Sequence, residues 1–327
     1  MKKESVLTSV AHTSLRVRRS LCLDSARGEG GGRYAQRDGT RELTVQCTGS
    51  NTYVLGRGPK RILLDTAQGE KEWAKNLKDV LEREKATVQT CLLSHWHHDH
   101  VGGVKDLEGL VPVVQVWKNT PELNPDGILD VQRVKAFEDG QVFAAEDGEF
   151  EVKAVHCPGH TKDHMAFVVT RSEDQDEVGA MFTGDNVLGH GTAVFEDLAA
   201  YLKSLAVMGE AVGEGSKAYP GHGAVIEDAR AKIQEYVNHR KMREEEALNV
   251  LRFGATKKPE EGIDGVERVE GKEWGSMEMV KVIYSKYPEN LWAPAEHGLL
   301  MVLKKLKGEG KVVRTETGWR VGEKAIL

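Results

Sequence analysis

Apolar positions recur with a readable period only from Leu43 onward. Before it, Leu15-Arg16-Val17 and Leu21-Cys22-Leu23 have weak strand character, and Gly28 to Gly32 read Gly-Glu-Gly-Gly-Gly, a composition that predicts a flexible insert. Leu43-Thr44-Val45 and Asn51 to Leu55 read as strands, Gly56-Arg57-Gly58-Pro59 as a turn, and Arg61 to Asp65 as the returning strand. Trp73, Leu77, Val80 and Leu81 fall at i, i+4, i+7 and i+8, the stripe of an amphipathic helix. Val88 to Leu93 is the next strand. It leads into Ser94-His95-Trp96-His97-His98-Asp99-His100-Val101-Gly102-Gly103, where Asp99 and His100 are expected in a turn and Val101-Gly102-Gly103 at the opening of a helix.

Strand, polar loop and helix then alternate. Val111 to Trp117, Phe150 to Val155, Met165 to Thr170 and Val178 to Phe182 are predicted strands, and Ala218 to Gly223 is one more strand end; Phe195 to Met208 and Ile226 to about Leu251 are predicted helices. Residues 254–272 are a polar linker. Beyond it, helices at Met277 to Tyr284 and Gly298 to Leu306, then a hairpin of Lys311-Val312-Val313 with Trp319-Arg320-Val321, suggest a small winged-helix-like tail over residues 273–327. The expected division is an extension at 1–42, a main domain at 43–253, the linker and the tail.

Composition narrows the class without deciding it. A chain of 327 residues with 39% hydrophobic and 29% charged residues is ordinary for a soluble globular protein with a substantial core. The net charge of −6 gives no general attraction to nucleic acid or to an anionic membrane. No apolar run reaches transmembrane length, and Met1-Lys2-Lys3 is not followed by the apolar core of a signal peptide. Cys22, Cys47, Cys91 and Cys157 form no CxxC pair and read as reduced thiols, so the expected location is cytoplasmic.

The chemistry gathers where predicted strands end. His95 and His97 lie on one side if the strand geometry continues, because side chains alternate with period two. Later strands end near His160, Asp185 and His222, each beside a glycine. Imidazole and carboxylate donors in this number suit Zn²⁺, Mn²⁺ or Fe. Seven candidates (His95, His97, Asp99, His100, His160, Asp185 and His222) exceed one tetrahedral ion but suit two ions sharing a carboxylate. His98 is expected to point away, Trp96 to pack and fix the loop, and His12, His156, His239 and His297 to be ordinary.

This ordered set, H-x-H-x-D-H and then a His, a Gly-Asp and a Gly-His, resembles the metallo-β-lactamase superfamily. The resemblance implies an α/β fold, the αββα sandwich, with two zinc ions. Carried onto this chain, it implies that His95, His97 and His160 hold one ion, that Asp99, His100 and His222 hold the other, and that Asp185 bridges them. Asp99 would orient a metal-activated hydroxide and shuttle its proton. Thr48 to Tyr53, Pro158-Gly159-His160-Thr161, Val194 to Leu198 and Tyr219 to Gly223 are similar to the branch that holds the animal lactamase-beta-2 endoribonucleases and the fungal polyketide thioesterases. Within it, Gly184 to Thr192 look more like the fungal atrochrysone carboxyl carrier-protein thioesterases, because Asn186 and His190 stand where the nuclease side tends to have Cys and Glu. Two features depart from the branch: its usual Gly-x-Asn-Pro-Gly opening is missing, and Ser50 replaces a commoner Thr, a change expected to matter little.

The implied function is hydrolysis of the thioester between a polyketide chain and the acyl carrier protein domain of a non-reducing polyketide synthase, in secondary metabolism. His164 and His190 are candidate substrate contacts. The alternative is a metal-dependent single-strand endoribonuclease with a basic channel; nucleic acid is a partner only on that reading. A DNA-binding or scaffolding role for the tail and a glyoxalase-II-type reaction are further readings, and a second copy of the chain is a further candidate partner.

Overall fold

In the computed structural model, which describes residues 49–146, 148–257 and 271–322, two five-stranded sheets stack face to face with helices on both outer faces. The expected elements before Gly49, the glycine-rich insert, Cys22, Cys47 and most of the linker lie outside the described residues. The chain begins with β1 (Tyr53–Leu55), β2 (Lys60–Leu64), α1 (Lys71–Arg83), β3 (Thr87–Leu93), α2 (His98–Val101), α3 (Val104–Leu110), β4 (Gln115–Lys118) and β5 (Val134–Ala136). These five strands form the first sheet in sequence order, β1 antiparallel to β2 and the rest parallel.

The second sheet comprises β6 (Val142–Ala144), β7 (Glu151–His156), β8 (Met165–Arg171), β9 (Met181–Gly184) and β10 (Ala218–Pro220), in the order β10-β9-β8-β7-β6. Between β9 and β10 lies α4 (Leu198–Ala211), and α5 (Ala229–Phe253) follows. The tail adds α6 (Ser276–Ile283), α7 (Trp292–Gly308) and the hairpin β11 (Val312–Arg314) with β12 (Trp319–Val321).

Period two explains the layers. Tyr53, Leu55, Ile62, Leu64 and Leu92 face the second sheet, where they meet Phe143, Val152, Phe167 and Phe182. Their neighbours Val54, Leu63, Cys91 and Leu93 face outward under α1 and α3, packed on Trp73, Leu77 and Leu107. With both faces covered, the strands read as nearly continuous apolar runs. The α1 stripe of Trp73, Leu77, Val80 and Leu81 is the buried face of that helix. On the other side, Ala166, Val168 and Met181 pack under Tyr201, Leu205 and Ile233, and the same core runs on into Val280, Leu303 and Trp319 of the tail. The layer order is therefore helix, sheet, sheet, helix, as the resemblance implies.

Several boundaries differ from the expectation for local reasons. Val111 caps α3 through its N–H to the carbonyl of Leu107, so strand geometry begins only at Gln115. Val178 closes a 3₁₀ turn, which delays β9 to Met181. The side chains of Asp197 and Asp228 accept the N–H groups of Ala200 and Ala231, setting the starts of α4 and α5 later than the apolar pattern suggests. Asp99 and His100 sit in a one-turn helix instead of a turn, and Gly102 caps it. β5 and β6, three residues each, were not expected.

Candidate metal centre

The ends of β7, β9 and β10 lie on one edge of the second sheet, because β9 runs parallel to β10 and both β7 and β9 run antiparallel to β8. The loop after β3 closes over that edge from the first sheet. A β-carbon on Gly103 would stand 2.1 Å from the carbonyl oxygen of Thr66 and against the Trp73 ring, so only glycine lets the loop pass this close. On the opposite side, Gly159 has φ +137° and lies against the backbone of Tyr201, which brings the His160 loop down onto α4.

Seven side chains converge in two groups. In the first, His95 Nε2 lies 3.0 Å from His97 Nδ1 and 3.2 Å from His160 Nε2, with 3.0 Å between His97 Nδ1 and His160 Nε2. Asp185 Oδ2 completes it, 3.6 Å from His160 Nε2. In the second, Asp99 Oδ2 is 3.1 Å from His222 Nε2 and 3.5 Å from His100 Nε2. Asp185 reaches this group too, with Oδ1 3.4 Å from His100 Nε2 and Oδ2 3.2 Å from His222 Nε2.

The donor set fits metal ions. Tetrahedral zinc with bonds of about 2.0–2.1 Å separates its donors by about 3.3–3.4 Å, close to the spacings of the first group. His100 Nε2 and Asp185 Oδ1 are buried and make no hydrogen bond among the described residues, which leaves two ligand-type atoms aimed between the groups.

Polar partners behind the ligands fix which nitrogen each ring presents. Asp65 accepts hydrogen bonds from the N–H and the hydroxyl of Ser94, both at 2.8 Å, and faces His100 Nδ1 at 2.8 Å. Because the Ser94 hydroxyl donates to Asp65, its oxygen receives the Nδ1–H of His95 at 2.9 Å. His160 donates Nδ1–H to the Val194 carbonyl at 2.9 Å. In His95, His100 and His160 the Nε2 is thereby left as the coordinating atom, the usual arrangement behind metal-binding histidines, whereas His97 presents Nδ1. Asp65 lies at a strand end like the expected ligands, but without a neighbouring His or Gly to mark it.

Electrostatics separates the two groups. Burial, reinforced by His100 and His160, holds His95 well below the usual histidine range; burial and His160 bring His97 down to about 4. Burial also opposes charge on His100 and His222, but Asp185, Asp65 and Asp99 outweigh it at His100, and hydrogen bonds to Asp185 and Asp99 push His222 up to about 10. His100 and His222 in turn overcome burial at Asp99 and Asp185 and keep both carboxyls low. A cation entering the second group thus competes with protons, so its binding strengthens as pH rises.

Other side chains lie differently from the expectation. His164 is fully buried beneath the ligands instead of lining a substrate pocket: its Nε2 accepts the N–H of Asp185 at 3.0 Å and its Nδ1 lies 3.3 Å from Cys157 Sγ. Asn186 is also buried, donating to the Cys157 carbonyl at 2.7 Å. His190 is exposed and lies against Gly223, next to His222. The Ser50 hydroxyl donates to Asp99 Oδ2 at 2.9 Å, a bond that a threonine hydroxyl could also make. Asn51 adds hydrogen bonds to the carbonyls of Pro220 and Gly223, both at 3.0 Å, steadying the His222 turn. His98 is exposed, as expected, and Trp96 packs its ring 4.4 Å from that of His97.

Comparison with known proteins gives two family matches: the metallo-beta-lactamase superfamily over residues 45–238 and the beta-lactamase associated winged helix domain over residues 275–319. The chain is 38% identical to a Drosophila melanogaster beta-lactamase-like protein 2 homolog, over 83% of this chain and 85% of that one. It is 40% identical to the lactamase-like protein nscB of Aspergillus fumigatus (82% and 76%) and 38% identical to the atrochrysone carboxyl ACP thioesterase of Aspergillus chevalieri (82% and 78%). Among solved structures, a beta-lactamase domain protein from Burkholderia ambifaria superposes with a TM-score of 0.64 at 18% identity, covering 86% of this chain and 88% of that one. A metallo-beta-lactamase family protein from Thermus thermophilus gives 0.57 at 24% identity, covering 83% and 92%. Both share the fold.

Proposed function

Because this chain belongs to the metallo-β-lactamase superfamily of hydrolases, we propose that it is a two-zinc thioesterase that cuts a polyketide chain from its acyl carrier protein. The observation that carries the reaction class is the Asp185 carboxylate, shared between two converging donor groups. The thioester is supported by the likeness to the Aspergillus chevalieri enzyme and by the Gly184–Thr192 stretch, in which His190 is exposed and lies against Gly223.

His95, His97 and His160 would hold one ion, Asp99, His100 and His222 the other, and Asp185 both. Bound ions would supply Lewis acidity and make hydroxide available near neutral pH. The chain's own part is to orient and to move a proton. Asp99, with 29% of its side chain exposed, is the ligand-group carboxylate most open to solvent, and Ser50 and His222 fix its Oδ2. The Asp99 carboxylate would take the proton of the attacking water and return it to the departing thiolate. Asp65, Ser94 and the Val194 carbonyl keep the imidazoles in the coordinating tautomer throughout.

No described helix is long and apolar enough to cross a membrane, and the carrier protein is the partner this reading requires. The test is turnover of an acylated carrier protein beside a single-stranded RNA by the zinc-loaded protein, each with His97→Ala as control. Thioester release that vanishes in the control is the expected result. RNA cleavage with an inert thioester would transfer the site to phosphodiester chemistry, and such activity would fall steeply with salt.

A further inference from the structure

The loop from Leu188 to Glu196 is held from two sides. On one side, His160 donates to the Val194 carbonyl, and the N–H of Glu196 donates to the Gly159 carbonyl at 2.7 Å. On the other stands α5, where Tyr236 and Arg240 are four residues apart and so share a helix face. Tyr236 accepts the N–H of Leu188 and donates to the Gly191 carbonyl, both at 3.1 Å. Arg240 donates from Nη2 to the Ala193 carbonyl at 2.7 Å. Successive carbonyls of one loop, those of Ala193 and Val194, are therefore taken by Arg240 and by His160.

From this we infer that Arg240 is a positioning residue for His160. It fixes the Ala193 carbonyl, hence the peptide that follows, and hence the Val194 oxygen that sets the imidazole. Arg240 is only 9% exposed, with its guanidinium 4.7 Å from the Phe195 ring and 5.7 Å from the Tyr201 ring, and those two rings stack on each other. Burying a cation is costly, and a methionine would fill the same space against the rings without that cost. What the guanidinium adds is a directed, charge-assisted N–H on a carbonyl one residue from the one His160 uses. One turn further along α5, Glu244 pairs with Lys305 of α7 at 2.5 Å, which pins this part of the helix from the tail as well. The signal in sequence is slight: an arginine 80 positions after the histidine it serves, inside an otherwise charged helix.

The inference rests on the metal-centre reading and is independent of the substrate. Its test uses the full chain, wild type and with Arg240→Met or Arg240→Lys. Zinc affinity is measured by competition with a chromophoric chelator, and the His160 Nδ1–H signal by NMR of histidine-labelled protein, with and without zinc. Arg240→Met should weaken one zinc-binding step by about 10–100-fold, the range for losing support behind a metal ligand, and should shift or broaden the His160 signal. Arg240→Lys, which keeps a charged donor, should recover part of both. Folded variants that bind zinc within about twofold of wild type, with an unmoved His160 signal, would overturn the inference even if they melt earlier. If Arg240→Met does not fold, Arg240→Lys decides alone. If the wild type binds no zinc, the metal-centre reading fails, and the His160 signal of the metal-free protein still decides whether Arg240 positions that ring.

Discussion

Asp185→Ala should lower kcat/KM on an acyl carrier-protein thioester by at least about a thousandfold, the scale set by removing a group that organises the reacting centre. The reason is geometric. Asp185 Oδ2 lies 3.6 Å from His160 Nε2 and 3.2 Å from His222 Nε2, while Oδ1 lies 3.4 Å from His100 Nε2. One truncation thus takes a donor from both groups and leaves His95, His97 and His160 facing one another with no carboxylate among them. The fold should survive, because the Asp185 N–H to His164 and the surrounding backbone are retained. Steady-state kinetics with a circular-dichroism check on folding measures this. Activity within about tenfold of wild type would place the chemistry elsewhere.

Asp65→Ala should have the largest effect on stability and weaken metal binding as well. Its carboxylate serves the Ser94 N–H, the Ser94 hydroxyl and His100 Nδ1, each at 2.8 Å, and it is 5% exposed. Stranding a buried donor costs about 1–3 kcal/mol, so losing all three partners at once should cost several kcal/mol. His100 would also lose the acceptor that keeps its proton on Nδ1, and zinc affinity should fall by about 10–100-fold. Asp65→Asn keeps the shape and one acceptor oxygen, so it should fold better than Asp65→Ala yet still bind zinc less tightly than wild type. Denaturant unfolding and chelator competition measure the two effects. A stability change within about 0.5 kcal/mol would mean that Asp65 is not the anchor of the β3 loop.

Part of this centre is legible in the sequence and part is not. The helix stripe at Trp73, Leu77, Val80 and Leu81 and the apolar strands were legible because each is a local pattern with one dominant period. The seven converging side chains were legible because each marks a strand end and sits in or beside a His- or Gly-bearing turn. What the sequence hid depends on contacts between distant segments. His164 looks like a pocket residue by spacing, yet a β-carbon on Gly184 would stand 2.6 Å from its Nε2, so the ring lies sealed under the Asp185 turn. Ser50 lies 49 positions from Asp99, and Arg240 lies 47 from Ala193. Neither pairing leaves a periodic trace. The strands β5 and β6 leave no trace for another reason: three residues are too few to establish alternation.

The most direct test of the central claim, a two-metal centre built from these residues, is to count zinc in the purified full chain. Elemental analysis by mass spectrometry after dialysis against metal-free buffer, with His97→Ala alongside, gives the number. The arrangement predicts about two zinc ions per chain in the wild type and about one in the variant, since His97 belongs to one donor group only. A wild type that retains no metal, or a variant that keeps both ions, would contradict it.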